Sequence, residues 1–329
     1  MKAFTYYKVN SVPKAISLLA KYKEQAAILA GGSDLFGLMK DRPEGKTFKM
    51  PQHVIDIKEI KDLNTIKAGK GGLRIGATTT LSEIASSALI GESYPLLAQA
   101  ASQVGVPQIR NVGTLAGNLC QRPRCWYFRR SLFNDCFRKG GSYCYALDGE
   151  NQYHAIMGTK GCCIVYPSDM APALIALNAH VEIAMAKGSK KVPLEQFYVG
   201  PGTNILRENI LSPQEMVVAV EIPKPATGNK GAYVKLKERA AFDFALVSVA
   251  VSITRKNNVV VNSRVVFGGI APVPLRSTRA EAALNGKDLK IAIPEACKAA
   301  MDGAHPLRNN GYKVDAARGV LEQALGLLA

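Results

Sequence analysis

Residues 113–119 read GTLAGNL, and the chain continues from this glycine turn through a cysteine-bearing stretch that closes at Pro167-Ser168-Asp169. Of the 7 cysteines in the chain, only Cys297 lies outside this stretch. Thiols clustered in this way indicate a metal site, a disulfide framework or a redox centre. The sequence around them has to distinguish the three.

The chain has 329 residues, which exceeds one average domain and predicts two or three. Its hydrophobic content of 47% is ordinary for a folded protein, whereas its formal net charge of +16 is unusually high. A nucleic acid, an anionic membrane, an acidic partner subunit or an anionic cofactor would each account for such a charge, as would a merely basic surface.

The N-terminal residues 1–7 lack the apolar core of a signal peptide, and no apolar run is long enough to span a membrane. We therefore expect a cytoplasmic protein without a membrane span, or a periplasmic one only if it is exported together with a signal-bearing partner subunit. Disulfides are rare in the cytoplasm, which favours a metal for the cysteine cluster.

A second glycine turn lies near the N-terminus. The apolar run 26–30 predicts a buried strand that ends at Gly31-Gly32-Ser33-Asp34. Such a turn can point several backbone N–H groups at one anion, although most Gly-Gly pairs are simply turns. Two turns of this kind suit a ligand with two phosphates, held by backbone N–H groups rather than by an arginine clamp. Neither has the GxGxxG spacing of a nicotinamide-binding fold.

The spacing of the cysteines argues against a simple structural zinc site, because none of the pairs has the CxxC spacing of a zinc ribbon. An iron–sulfur cluster takes four thiolates and accepts them from one irregular loop. Cys125, Cys136 and Cys144 are well separated, and either Cys162 or Cys163 can be the fourth ligand, because neighbours in a predicted strand at 162–166 face opposite ways. His154 is a substitute ligand to consider, and free thiols in a basic loop remain the alternative.

Three motifs resemble the FAD-binding medium subunit of the xanthine dehydrogenase/CO dehydrogenase (molybdenum hydroxylase) family: residues 30–35, 111–119 and 167–174. Two later segments, 237–245 and 267–272, resemble the C-terminal domain of the same subunit. Ala116 is a departure, because the family usually has glycine there.

The resemblance implies an α+β fold, with a two-part FAD-binding domain of the vanillyl-alcohol-oxidase/CO dehydrogenase flavoprotein type and a C-terminal α+β domain. We expect the FAD-binding domain at 1–215, with subdomains at about 1–60 and 61–215, and the C-terminal domain at 216–329. An insertion at about 120–163 resembles the loop that holds an additional 4Fe–4S cluster in 4-hydroxybenzoyl-CoA reductase and in periplasmic aldehyde oxidoreductases.

The resemblance also implies site residues. The 4Fe–4S ligands would be Cys125, Cys136, Cys144 and Cys162. No catalytic residue is expected. The residues expected to bind FAD are Leu29, Ala30, Gly31, Gly32, Ser33, Asp34, Leu35, Thr78, Asn111, Gly113, Thr114, Gly117, Asn118, Leu119, Ser168, Asp169 and Lys237.

The implied function is electron transfer within an oxidoreductase that is active only as a complex. Its partners would be a large subunit with the molybdenum cofactor and a small subunit with 2Fe–2S clusters. The basic segment 125–139 is a candidate docking face for an acidic redox partner. Two alternatives are a standalone flavin oxidoreductase and, from another class, a nucleic-acid-binding protein with Trp126-Tyr127-Phe128 as a stacking platform. We expect no nucleic acid.

Overall fold

The computed structural model describes residues 1–329, and its strands form three sheets. The first sheet is parallel, with strand order β1-β3-β2. Helix α1 begins with a proline in its first turn and buries Ala15, Ile16 and Leu19 on one face. This spacing of three and four residues gives an apolar stripe that packs against the sheet. The elements are β1 (Thr5–Lys8), α1 (Val12–Tyr22), β2 (Ala26–Leu29), α2 (Leu35–Asp41) and β3 (His53–Asp56).

The second sheet is antiparallel, with strand order β4-β5-β8-β6-β7. Its strands are β4 (Ile66–Gly69), β5 (Gly72–Gly76), β6 (His180–Ala184), β7 (Ser189–Pro193) and β8 (Met216–Pro223). The helices between β5 and β8 are α3 (Leu81–Ser86), α4 (Ala88–Ser93), α5 (Pro95–Ser102), α6 (Pro107–Val112), α7 (Leu115–Leu119), α8 (Trp126–Arg129), α9 (Met170–Ala176) and α10 (Leu194–Phe197), of which α8 packs beside the first sheet instead. The predicted domain boundary at 215 falls directly before β8. Because β8 pairs with both β5 and β6, the sheet keeps this strand with the residues that precede it.

The third sheet is antiparallel, with strand order β12-β11-β10-β9. Val247, Val249 and Val251 alternate along β10 and face a core shared with three helices, whereas Ala250 faces the core of the second sheet. The third sheet is therefore buried on both faces. Its elements are β9 (Asn229–Leu236), β10 (Val247–Lys256), β11 (Val259–Gly268), β12 (Leu275–Arg276), α11 (Thr278–Leu284), α12 (Leu289–Ala300) and α13 (Tyr312–Gly326). We call this part of the chain, residues 229–326, the third unit.

The mixed α+β class is confirmed by these elements. The strand predicted at 162–166 is wrong, because this segment is irregular. Its backbone bonds go to loops instead of a ladder: Tyr166 N donates to the Ala271 carbonyl at 3.0 Å, and the Cys163 carbonyl accepts from Ala155 N at 2.9 Å. None of the helices combines the length and the apolar composition that a membrane span requires.

A buried lysine ties α13 to the insertion. The side chain of Lys313 is fully buried, and its Nζ donates to the carbonyls of Tyr153 at 3.0 Å, His154 at 3.1 Å and Gly269 at 2.8 Å. A buried carbonyl without a donor costs free energy, and this one ammonium donates to three buried carbonyls, sharing that of His154 with Asn310 Nδ2.

Replacing Lys313 by methionine keeps the length of the side chain but removes all three hydrogen bonds. We expect the free energy of unfolding to fall by about 3 kcal/mol, measured by urea denaturation. Lys298→Met, at an exposed position of α12, is the control and should change it by less than about 0.5 kcal/mol. Equal effects of the two substitutions would contradict the role given to Lys313.

Candidate functional site

A cavity of about 610 Å³ lies where the two glycine turns meet residues 242–244 of the third unit. The predicted FAD-binding residues that line it are Ala30, Gly31, Gly32, Ser33, Asp34, Leu35, Gly113, Thr114, Gly117, Asn118 and Asp169. Leu29, Thr78, Asn111, Leu119, Ser168 and Lys237 are not among the lining residues. The cavity thus brings together both turns and one residue of the Ser168-Asp169 turn.

The two glycine turns touch each other. A Cβ on Gly31 would lie 1.9 Å from the carbonyl oxygen of Val112, so only glycine permits this approach. Gly32 has a φ of +72°, in the left-handed region that glycine adopts without strain. The turns therefore form one continuous wall of backbone on one side of the cavity.

Gly117 leaves room for a ligand next to α7. Thr114 caps this helix, since its Oγ1 accepts from Gly117 N at 3.2 Å. A Cβ on Gly117 would meet only that Oγ1, at 2.8 Å, and no other atom within 4 Å. The space that a side chain would fill is thus open to the cavity, as a close approach of a phosphate to the backbone requires.

Asp34 joins the first glycine turn to the insertion. Its carboxylate accepts from the Arg124 guanidinium, from Arg129 Nη2 at 2.6 Å and from Arg122 N at 2.8 Å. Burial alone would raise the pKa of Asp34, but the charges of Arg124 and Arg129 hold it below its usual value. Arg122 and Arg124 also line the cavity, so arginines reach a site where only backbone donors were expected.

Asp169 receives a lysine that the sequence did not reveal. Lys235 Nζ lies 2.7 Å from Asp169 Oδ2, and the Tyr233 hydroxyl donates to Oδ1 at 2.7 Å. Both partners come from β9 and are buried with Asp169. The predicted Lys237 instead donates to Gln103 Oε1 at 3.0 Å. Lys235 stands two residues before the segment 237–245, and nothing in the local sequence marks it as a partner of Asp169.

A second, narrow cavity collects the thiols of the insertion. It is lined by the predicted ligands Cys125, Cys136, Cys144 and Cys162, together with Cys163 and His154. Cys120 lies apart and lines the cavity of the glycine turns. All seven cysteines are free thiols. The structure contains no group of three or more histidine, cysteine, aspartate or glutamate residues arranged to hold a metal ion. The thiols are therefore gathered around a common cavity rather than arranged as a formed metal site.

Backbone N–H groups point at these sulfurs. They come from Tyr127 and Phe128 to Cys125, from Arg138 to Cys136, from Ala146 to Cys144 and from Ile164 to Cys162. The thiols of Cys162 and Cys163 both donate to the Cys144 sulfur, which lowers the pKa of Cys144. Burial raises the pKa of Cys125 to about 12. Such N–H donors favour thiolate sulfur, the form that binds iron.

Three of the four basic residues in segment 125–139 are buried. Arg129 is 7% exposed, Arg138 1% and Lys139 0%. Arg138 is paired with Glu208, and Lys139 Nζ donates to the Arg130 carbonyl at 2.5 Å. The predicted basic docking face for an acidic redox partner is therefore contradicted at Arg129, Arg138 and Lys139, whose charges are used inside the protein, and Arg130 is the one exposed basic residue of segment 125–139.

The aromatic residues of the insertion are also unavailable as a stacking platform. Tyr127 and Phe128 are buried in the cores beside the cysteines. A nucleic-acid base would need their exposed faces, so the structure removes the feature on which the nucleic-acid alternative depended.

A third cavity, of about 300 Å³, lies between the other two. It shares Arg124, Asp169 and Phe244 with the cavity of the glycine turns. It shares Cys125 and His154 with the cavity of the thiols. The two candidate sites are thus linked through this third cavity, whose walls include residues of both.

Two family models cover almost the whole chain. Residues 2–225 match the FAD binding domain in molybdopterin dehydrogenase, and residues 232–327 match the CO dehydrogenase flavoprotein C-terminal domain. The boundary between the matches follows β8, in agreement with the strand pairing.

Curated relatives and solved structures agree with these matches. The chain is 37% identical to the aldehyde oxidoreductase FAD-binding subunit PaoB of Escherichia coli, over 99% of this chain and 98% of the relative. It is 30% identical to the carbon monoxide dehydrogenase medium chain of Hydrogenophaga pseudoflava, over 98% and 96%. A solved structure of carbon monoxide dehydrogenase from that organism matches with a TM-score of 0.78 at 28% identity, covering 99% of this chain and 96% of the solved chain.

The fold and the glycine-lined cavity thus define an FAD-binding oxidoreductase subunit. The chain belongs to the FAD-binding medium subunits of the CO and xanthine dehydrogenase (molybdenum hydroxylase) family. The predicted family and fold, with an FAD-binding domain followed by a C-terminal domain, are confirmed.

Gly117→Val should lower the FAD content of the purified protein severalfold, because the new side chain occupies the space beside α7. Gly91→Val is a matched control, since Gly91 also lies in a short helix and has no atom within 4 Å of its Cβ position. Both substitutions cost roughly the same helix propensity. A folded Gly117→Val protein with full FAD content, measured by absorbance after extraction, would exclude this role of the turn.

Asp34→Asn should destabilise the protein at pH 7 by about 3 kcal/mol, because Arg124 and Arg129 lose a buried carboxylate. The pKa of Asp34 is lowered by folding, so its contribution is present above the unfolded pKa of about 3.9 and is lost as pH falls from there through the lower folded pKa. The difference in urea midpoint between the two proteins should therefore be constant above about pH 5 and shrink below about pH 4. Asp62→Asn, at an exposed site, is the control. A difference that is constant with pH would contradict the ion pairs.

Proposed function

We propose that this chain carries one 4Fe–4S cluster in addition to FAD and moves electrons between the 2Fe–2S clusters of a small subunit and an external acceptor or donor. The observation that supports this most is the gathering of five insertion thiols around one cavity. That cavity and the cavity of the glycine turns both share lining residues with a third cavity.

When bound, FAD supplies the exchange between single-electron carriers and an electron-pair acceptor. The residues that would hold it are those of the two glycine turns, whose backbone N–H groups suit a pyrophosphate. Asp34 keeps the first turn in place through its arginines, and the pair of Asp169 and Lys235 holds the far wall. We propose no proton-transfer role for the side chains that line the cavity of the glycine turns.

Cys125, Cys136, Cys144 and Cys162 are the proposed cluster ligands. Each of these sulfurs faces at least one backbone N–H group, and donors of this kind stabilise thiolates and tune the potential of a cluster. The Arg138 guanidinium lies beside the Cys162 sulfur and compensates part of the negative charge of a four-thiolate site. This arginine is the reason to prefer Cys162 to Cys163 as the fourth ligand.

The proposed partners are a large subunit with the molybdenum cofactor and a small subunit with 2Fe–2S clusters. The names of the relatives support this, because one is a medium chain and another an FAD-binding subunit. The substrate would then bind on the large subunit, and this chain would act only within the complex. Its own residues contribute binding, insulation from water and the spacing between the two redox groups.

The cluster is tested by single Cys→Ser substitutions in the complex purified with its partner subunits. Changes at Cys125, Cys136, Cys144 and Cys162 should each remove most of the 4Fe–4S iron, because serine oxygen is a poor iron–sulfur ligand. The FAD content should stay near that of the wild type, since none of these four residues lines the cavity of the glycine turns. Iron analysis, extracted FAD and the EPR spectrum of the reduced complex give the readout.

Cys297→Ser and Cys120→Ser are the controls, because one residue lies in the third unit and the other beside the glycine turns. Both should keep the iron. If Cys163→Ser removes the cluster and Cys162→Ser does not, the ligand set is wrong although the cluster exists. If the wild-type complex lacks a 4Fe–4S signal, the proposed function fails.

A further inference from the structure

We propose that His154 is a positioning residue of the 4Fe–4S site: its Nε2–H donates to the sulfur of Cys125 and raises the reduction potential of the cluster. This inference rests on the proposed function and goes beyond it. Nε2 of His154 lies 3.3 Å from Cys125 Sγ, within hydrogen-bond distance for sulfur.

The tautomer follows from the two ring nitrogens. A cysteine that binds iron is a thiolate, which carries no proton and can only accept. Nδ1 of His154 is buried and has no hydrogen-bond partner, so a proton on that nitrogen would be left without an acceptor. The proton of the neutral ring therefore belongs on Nε2, facing the sulfur.

The imidazole is held in place from several sides. His154 is 3% exposed, and its ring packs edge-on against Trp126 with the centroids 5.4 Å apart. Its carbonyl accepts from Asn310 Nδ2 and from Lys313 Nζ, each at 3.1 Å. Residues of the third unit thus fix the backbone of a residue that faces the thiols. A donor held this rigidly keeps its direction in both redox states.

The position of the bond matters for electron transfer. Cys125 and His154 line both the cavity of the thiols and the cavity that adjoins the glycine turns. The residue next to Cys125 is Arg124, whose guanidinium binds Asp34 in the first glycine turn. The proposed hydrogen bond therefore falls on the ligand that is connected most directly to the FAD side of the protein.

The sign of the effect follows from charge. Reduction adds one electron to the cluster and increases the negative charge on its thiolate sulfurs. A fixed N–H donor in a buried site stabilises the more negative state to a greater extent, so the reduced cluster gains more than the oxidised one. Loss of the donor should therefore shift the midpoint potential in the negative direction.

The test is an EPR-monitored redox titration of the purified complex carrying His154→Leu. We expect the iron and FAD contents of the wild type, because His154 is not a ligand, together with a negative shift of the 4Fe–4S midpoint potential. His154→Gln can donate an amide N–H and should recover part of the shift. Ile164→Val also changes the wall of the thiol cavity but leaves the histidine in place, so its midpoint should equal that of the wild type.

Three other outcomes would overturn the inference, and they differ in iron content and in the 4Fe–4S signal. A 4Fe–4S signal with an unchanged midpoint in His154→Leu, at full iron content, excludes the hydrogen bond as a determinant of potential while leaving the proposed function intact. Loss of iron in both His154 variants would make the residue a ligand or a purely structural group. Absence of the signal from the wild type would reject the proposed function and this inference with it.

Discussion

The carboxylate of Asp34 is the contact on which the arrangement of the two candidate sites depends. It belongs to the first glycine turn, yet its partners Arg124 and Arg129 lie in the insertion about 90 residues later in the chain. A second carboxylate, that of Glu208, is paired with Arg138 of the insertion. Because buried guanidinium groups need compensating charge, these two acids fix where the insertion can lie. Cys125 follows Arg124 directly and is thereby held near the cavity of the glycine turns.

The same contacts explain why the basic charge of the insertion was misread. A run of arginines in a sequence suggests a solvated surface, since basic side chains are seldom buried. Their burial here depends on acids that are distant in the chain, and no local pattern reports that pairing. Lys235 was missed for the same reason, because its partner Asp169 lies 66 residues earlier. The exposed part of the insertion is consequently much less basic than its sequence.

What the sequence predicted well was local. Glycine is required at position 31 by the close approach of the Val112 carbonyl and at position 32 by a positive φ. The sequence shows both requirements as a Gly-Gly pair at the end of an apolar run. The fourth cluster ligand could not be chosen from spacing, because that choice assumed a strand at 162–166. The irregular backbone of this segment lets Cys162 and Cys163 face the same cavity, which alternation in a strand would forbid.

We propose that the insertion adds an iron–sulfur cluster to an FAD-binding subunit. Mössbauer spectroscopy of the iron-enriched wild-type complex, combined with quantified FAD, can detect that cluster. We expect a 4Fe–4S component that is present in a one-to-one ratio with FAD, in addition to the 2Fe–2S centres of the small subunit. A complex with full FAD content in which all of the iron is of the 2Fe–2S type would contradict it.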